Sequence, residues 1–166
     1  MIFVTVGTEQ YSFDRLMHWI DLLIQNHIIQ EEVVVQYGSC TYIPDGVKSY
    51  QLLPEESFKE KIKESRMVIA HCGEGTVLLM DSLNKPYILV PRTVTYQEHV
   101  DNHQVEMAIA LAAVDIPVAW SPGDLVRFIA DPVKTTVTDM SEETAKAVCK
   151  QLSERFAPQL QAIATP

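Results

Sequence analysis

Hydrophobic positions along the chain follow two patterns, short runs of consecutive apolar residues and longer stretches in which they recur at helical spacing. The runs suit strands buried on both faces and the stretches suit helices that cover them. Their alternation predicts a doubly wound, Rossmann-like α/β fold: a parallel sheet with helices on both faces. Strands are expected at 2–6, 33–37, 50–53, 67–70 and 87–90, with a weaker one at 117–119, giving about six. Phe13, Leu16, Met17, Ile20, Leu23 and Ile24 share one helical face, while Asp14, Arg15, His18, Asp21 and Gln25 point away from it. Ser12 is the expected N-cap of that helix, its hydroxyl able to accept from a first-turn amide. Further helices are expected at 54–64, where a starting proline is tolerated, from near Gly75 onward, and at 98–113. Near the end, Ala145, Val148, Cys149, Leu152 and Phe156 form one stripe over 141–155, a segment that should dock on the body. Residues 131–139 read as a surface connection and 157–166 as a fraying tail. With no internal repeat or linker, residues 1–166 are expected to form one domain.

Composition narrows the function. A chain of 166 residues with 47% hydrophobic content can enclose one sizeable core. A net charge of −9 and a pI near 4.9 repel a phosphate polymer, so no nucleic-acid partner is expected. Apolar runs such as 109–114 fall far below the roughly 20 residues a bilayer requires. The first residues carry neither a basic leader nor a long apolar segment, so a cytoplasmic location is expected. Cys40, Cys72 and Cys149 form no CxxC pair and suit reduced thiols.

Three segments follow expected strands and carry candidate chemistry. Gly7-Thr8-Glu9-Gln10 comes between the first strand and the first helix, where a glycine lets backbone approach a phosphate and the next helix presents free amides. It reads equally as a tight turn. His71-Cys72-Gly73-Glu74-Gly75-Thr76 repeats that context after the fourth strand. If the first and fourth strands are neighbours, both loops flank one crevice at the topological switch, the default place for a phosphate-containing ligand. The third segment, 91–104, is dense in polar groups. Arg92 could neutralise a diphosphate. Glu98 and Asn102, and likewise His99 and His103, are expected one turn apart at a helix start, where an enrichment in acidic residues also serves the helix dipole.

Taken together, Ile2-Phe3-Val4-Thr5-Val6-Gly7-Thr8, the His71–Thr76 loop continuing to Lys85-Pro86, and Val90-Pro91-Arg92 through Glu98-His99-Val100-Asp101-Asn102-His103-Gln104 resemble the PssE/Alg13 family of glycosyltransferase subunits, related to the C-terminal half of MurG-type transferases. The resemblance spans roughly the first 110 residues. It implies half of a GT-B enzyme in exopolysaccharide or oligosaccharide assembly. This chain would hold a UDP-sugar donor, and a membrane-associated, PssD/Alg14-like subunit would supply the lipid-linked acceptor and keep the chain peripheral to the membrane. Purified alone, such a half could self-associate through the same face. By matched position, Gly7 and Thr8 would lie by the donor phosphates. His71, Gly73, Gly75 and Thr76 would shape the nucleotide-sugar pocket, and Glu98, His103 and Gln104 would reach the sugar or ribose. No cofactor or metal is implied. His99 could serve as the general base, because an imidazole titrates near neutral pH, and the base could equally come from the partner subunit. One departure stands out: where the family carries a ribose-binding glutamate, this chain has Leu79, and Glu74 is a candidate replacement.

Readings from other classes remain open at this stage. His99 and His103 at i and i+4, with His71 and Cys72 on a neighbouring loop, would suit a metal-dependent hydrolase. Cys72 could act as a nucleophile, although no elbow motif surrounds it. A scaffold that binds a partner without a donor is the non-enzymatic reading. A docking face is expected near Trp19 and Trp120, since large aromatics favour interface centres.

Overall fold

A computed structural model describes residues 1–132 of the chain. In chain order its elements are β1 (Ile2–Thr5), α1 (Asp14–Gln25), β2 (Val33–Gln36), β3 (Lys48–Tyr50), α2 (Glu55–Glu64), β4 (Met67–His71), α3 (Glu74–Ser82), β5 (Tyr87–Val90), a 3-10 turn (Val94–Tyr96), α4 (His103–Ala112) and α5 (Pro122–Ala130). The strands form one parallel sheet in the order β3-β2-β1-β4-β5, with Val4 facing Val35 on one side and Ile69 on the other.

Both faces of the sheet are covered, so successive residues of a strand enter different cores. Ile2, Val4, Met67, Ile69, Ile88 and Val90 pack with Leu16, Met17, Ile20 and Leu23 of α1 and with Leu125 and Ile129 of α5. Phe3, Val68, Ala70, Tyr87 and Leu89 pack with Ile62 of α2, Val77 and Met80 of α3, and Ala108 and Leu111 of α4. The four strands β1, β2, β4 and β5 are buried throughout, which explains their uninterrupted apolar sequences. From β1 the chain builds outward to β2 and β3, and the return to β4 on the other side creates the switch.

The structure corrects several expectations. Among the described residues there are five strands, close to the six expected. The sixth reduces to one bridge, in which the Leu89 amide donates to the Pro117 carbonyl at 2.9 Å and the Ala119 amide to the Leu89 carbonyl at 2.8 Å. Proline at 117 offers no amide to extend that ladder. β3 sits earlier than expected, because Gln36 turns its side-chain carbonyl to the Leu53 amide at 3.0 Å and takes that residue out of the ladder. Ser12 does not cap α1. Phe13 occupies the N-cap position, and the Ser12 hydroxyl donates to Asp14, whose carboxylate also accepts from the Thr41 and Tyr42 amides at 2.8 and 3.1 Å. The helix expected from residue 98 begins only at His103, because Gln97 adopts a left-handed conformation and breaks the helical path. α5 went unforeseen, yet Ser121-Pro122-Gly123-Asp124 is a capping box with proline in the first turn. The expected helix at 141–155 lies outside the described residues, as does most of 131–139. Among the described residues, no helix is long and apolar enough to cross a membrane.

Candidate functional site

A cleft of about 520 Å³ opens at the carboxyl ends of β1 and β4, where the strand order reverses. That volume suits a small-molecule site. Gly7, Thr8 and Glu9 of the β1 loop form one wall, and His71, Gly73, Glu74, Gly75 and Thr76 form the opposite one. Leu53, Phe58 and Leu79 give the cleft an apolar side. The Thr76 and Val77 amides of α3 donate to the Gly73 carbonyl, both at 3.0 Å, whereas the Glu74 and Gly75 amides precede them at the positive end of the helix, which favours an anion. Thr8 and Thr76 add hydroxyl donors. Glu9, Glu55 and Glu74 place carboxylates on the rim, so the cleft offers an anion directed amides rather than a positive surface.

His71, at the end of β4, fixes the shape of both loops. Its ring stands between Gly7 and Gly73: a Cβ added at Gly7 would lie 2.5 Å from Nε2, and one at Gly73 would lie 2.9 Å from Cδ2. Real Cβ atoms do not approach that closely, so both glycines make room for the imidazole. Gly7 also has a φ of +79°, a conformation that costs little only for glycine. The ring is 7% exposed, and burial pulls its pKa down to about 4, with Arg92 and His99 adding to the shift and a backbone contact to Thr5 opposing it. His71 is therefore neutral at pH 7.

The sign of this shift predicts acid lability. Between the ordinary histidine value and about 4, the unfolded chain binds a proton that the folded chain refuses, so stability is full above about pH 6.5 and falls as pH drops through this window. The full titration is worth about 3 kcal/mol. The other shifted acids, Asp14, Glu31, Glu32, Glu55 and Asp101, have lowered values, so the stability they contribute is present at neutral pH and is lost mainly as pH falls below their ordinary values of 3.8 to 4.5. Chemical unfolding between pH 7 and 4.5 should show the slope in the native chain and lose it in His71→Gln.

The third segment lies apart from the cleft walls. Arg92 is 0% exposed, and its guanidinium donates to the carbonyls of Val6, Tyr11, Ser12 and Glu98 at 2.7, 2.9, 3.3 and 3.1 Å. It ties the β1 loop to the β5 loop and does not face the cleft, which corrects its expected role on a diphosphate. Glu98 is 3% exposed; its carboxylate accepts from Arg15 through Nε and Nη2, both at 2.8 Å, and from the Thr93 amide at 3.2 Å. Gln104 is buried and accepts from the Arg92 amide at 3.2 Å. Neither residue lines the cleft, and their expected contact with sugar or ribose gives way to support of the loop.

His99 and His103 are not successive turns of one helix, because His99 precedes α4. His103 is exposed, and its amide donates to Asp101 at 3.0 Å. Nδ1 of His99 lies 2.9 Å from Asp101 Oδ1. The Asp101 amide donates to the same Nδ1 at 3.3 Å, so this nitrogen meets both a donor and an acceptor of one residue. The His99 ring lies 6.4 Å from that of Tyr11, on the β1 loop. Among the described residues, no three His, Cys, Asp or Glu side chains converge as metal ligands. Burial pushes the Cys72 thiol up to about 12, which argues against a nucleophile.

With this geometry in place, comparison with known proteins is informative. Residues 1–156 match the glycosyltransferase family 28 C-terminal domain. The chain belongs to that family. It is 30% identical over 116 residues to the UDP-N-acetylglucosamine transferase subunit ALG13 of Homo sapiens and 29% identical over 118 residues to that of Mus musculus, covering 64% of this chain in each case. It spans about a tenth of the length of these relatives, 10% and 9%. The solved structure of the glycosyltransferase SnogD from Streptomyces nogalater shares the fold, with a TM-score of 0.52 and 20% identity, over 99% of this chain and 43% of that one.

Within this family 28 domain, six of the expected site residues converge on the cleft: Gly7, Thr8, His71, Gly73, Gly75 and Thr76. Arg92, Glu98, His99, His103 and Gln104 do not line it. Sequence reasoning missed Gln36, Leu53 and Phe58. Gln36 left a signal, as a polar residue at the carboxyl end of an apolar strand, whereas Leu53 and Phe58 look like ordinary core positions. Leu79 does line the cleft, so the side expected to carry a carboxylate is apolar.

Proposed function

We propose that this chain is the donor-binding part of a glycosyltransferase that moves a sugar from a UDP-sugar to an acceptor hydroxyl, together with a membrane-associated subunit that carries the lipid-linked acceptor in exopolysaccharide or oligosaccharide assembly. The observation that carries this reading is the convergence of two glycine loops and the α3 N-terminus on one cleft at the sheet's switch point. In this reading the diphosphate lies against the amides of Glu74 and Gly75 and the hydroxyls of Thr8 and Thr76, and the base lies against Leu53, Phe58 and Leu79. With Leu79 apolar, ribose hydroxyls are left to Glu74. UDP-N-acetylglucosamine, the donor in the names of the ALG13 relatives, is the first donor to test.

The reaction is a displacement at the anomeric carbon. The acceptor oxygen forms the new bond to that carbon as its proton passes to a general base, either His99 Nε2 or a group of the acceptor-bearing subunit. The bond from the anomeric carbon to the phosphate oxygen breaks, and its electron pair leaves with UDP. Amides and hydroxyls fixed before reaction stabilise the charge that develops there. The Asp101 carboxylate, 2.9 Å from Nδ1, balances the charge the imidazole acquires.

Calorimetric titration of the full chain with UDP tests the reading. Saturable binding is expected, about tenfold weaker in Thr76→Ala, equivalent to roughly 1.4 kcal/mol. With the acceptor-bearing subunit present, His99→Gln should, where His99 is the base, lower turnover by about 100-fold or more while leaving UDP affinity unchanged. No saturable UDP binding with or without that subunit would instead favour the scaffold reading.

A further inference from the structure

The β1–α1 loop has a second face. Gly7, Thr8 and Glu9 line the donor cleft, while Ser12, Asp14 and Arg15, a few residues on, line a separate groove of about 420 Å³ with His18, Trp19, Tyr96 and Glu98. A smaller cavity of about 220 Å³ continues it past Arg15 and Tyr96 to Trp120. We infer that this groove is a saccharide subsite, which takes the sugar of the acceptor; the word acceptor rests on the glycosyltransferase reading above.

The chemistry of the lining selects the ligand class. The guanidinium of Arg15 is fixed by Glu98 and by the Pro91 carbonyl at 2.8 Å, and it lies 4.7 Å from the centre of the Trp19 ring and 5.0 Å from that of Tyr96. These bonds engage Nε and Nη2, which leaves the Nη1 donors to the groove. A pyranose has a face of C–H groups that packs on an aromatic ring and a rim of hydroxyls that bonds a fixed ion pair. Trp19 and Tyr96 provide the first kind of surface and Arg15 with Glu98 the second. Because Glu98 cancels the charge of Arg15 and Asp14 adds another carboxylate, the groove disfavours a phosphate and suits a neutral polyol. Tyr96 is 62% exposed, so its ring is open to a ligand entering the groove. The arrangement sets a donor site and a second sugar site on opposite faces of one loop, with Tyr11 of that loop beside His99.

The chain supplies its own reporter, since its only two tryptophans, Trp19 and Trp120, line the two parts of the groove. Glucose, galactose, mannose, N-acetylglucosamine and their β-linked disaccharides are titrated into the full chain while tryptophan emission is followed. At least one sugar should give a saturable change in the millimolar range, weakened about tenfold by Tyr96→Ala and by Arg15→Met and unaffected by Thr76→Ala. The exposed Tyr96 can be truncated without threatening the fold. The inference is overturned if no sugar alters the emission, or if Tyr96→Ala leaves affinity unchanged. It is also overturned if the emission instead follows protein concentration, which would make a second copy of the chain the occupant. A parallel calorimetric titration with UDP separates the two readings: UDP binding without sugar binding removes only the groove, and sugar binding without UDP binding removes only the donor cleft.

Discussion

Gly73→Ala is expected to destabilise the domain by about 2–4 kcal/mol and to eliminate measurable UDP binding, with most of the stability returning when His71→Ala is added. The new methyl group has to occupy space held by the His71 ring. That ring cannot simply turn away, because it is buried at the end of a central strand between two loops. Overpacking of this kind costs about 1–3 kcal/mol and sometimes more, and here it displaces the backbone that presents the α3 amides. Gly7→Ala meets the same ring and adds the cost of a left-handed alanine, about 1–2 kcal/mol. His71→Ala should therefore rescue Gly73→Ala almost fully and Gly7→Ala only in part. Urea unfolding of the four chains in each cycle measures the coupling. Additive effects would show that the imidazole is not what holds the two positions to glycine.

This contact shows what the sequence could and could not disclose. The glycines, the histidine and the succession of strands along the chain were legible, because buried parallel strands leave apolar runs and strand-to-helix turns leave small residues, whereas the pairing of β1 with β4 entered only as a condition. Given that pairing, the cleft followed from strand order alone. What filled the space beside the glycines was not legible, since glycine marks equally a place for a ligand and a place for a neighbouring side chain. The misplaced start of α4 has a similar origin: Glu98, His99, Asn102 and His103 carry helical spacing, but the left-handed Gln97 and the pairing of Glu98 with Arg15 hold that stretch as a loop. Long-range partners of this sort leave no local pattern. The Arg15–Glu98 contact joins residues 83 positions apart, and with it the groove beside Trp19 stayed hidden.

Arg92→Met is expected to cost about 3–5 kcal/mol, the range seen when a buried charge network loses one partner. Four carbonyls, those of Val6, Tyr11, Ser12 and Glu98, point at one guanidinium, and methionine leaves all of them without their donor in the interior. Lysine is a poor substitute, because a single ammonium cannot span the carbonyls that two guanidinium nitrogens reach. The Phe13 ring, 4.7 Å from the guanidinium, would lose its packing partner as well. Hydrogen exchange should quicken at the amides of residues 7–13, since Arg92 holds three carbonyls of that loop or its approach. The ligand readout separates positioning from direct contact with phosphate. An arginine bonded to the diphosphate would weaken UDP far more than uridine when removed. An arginine that only shapes the loop would weaken both by a similar factor, and this second outcome is expected of a guanidinium whose bonds all end on backbone.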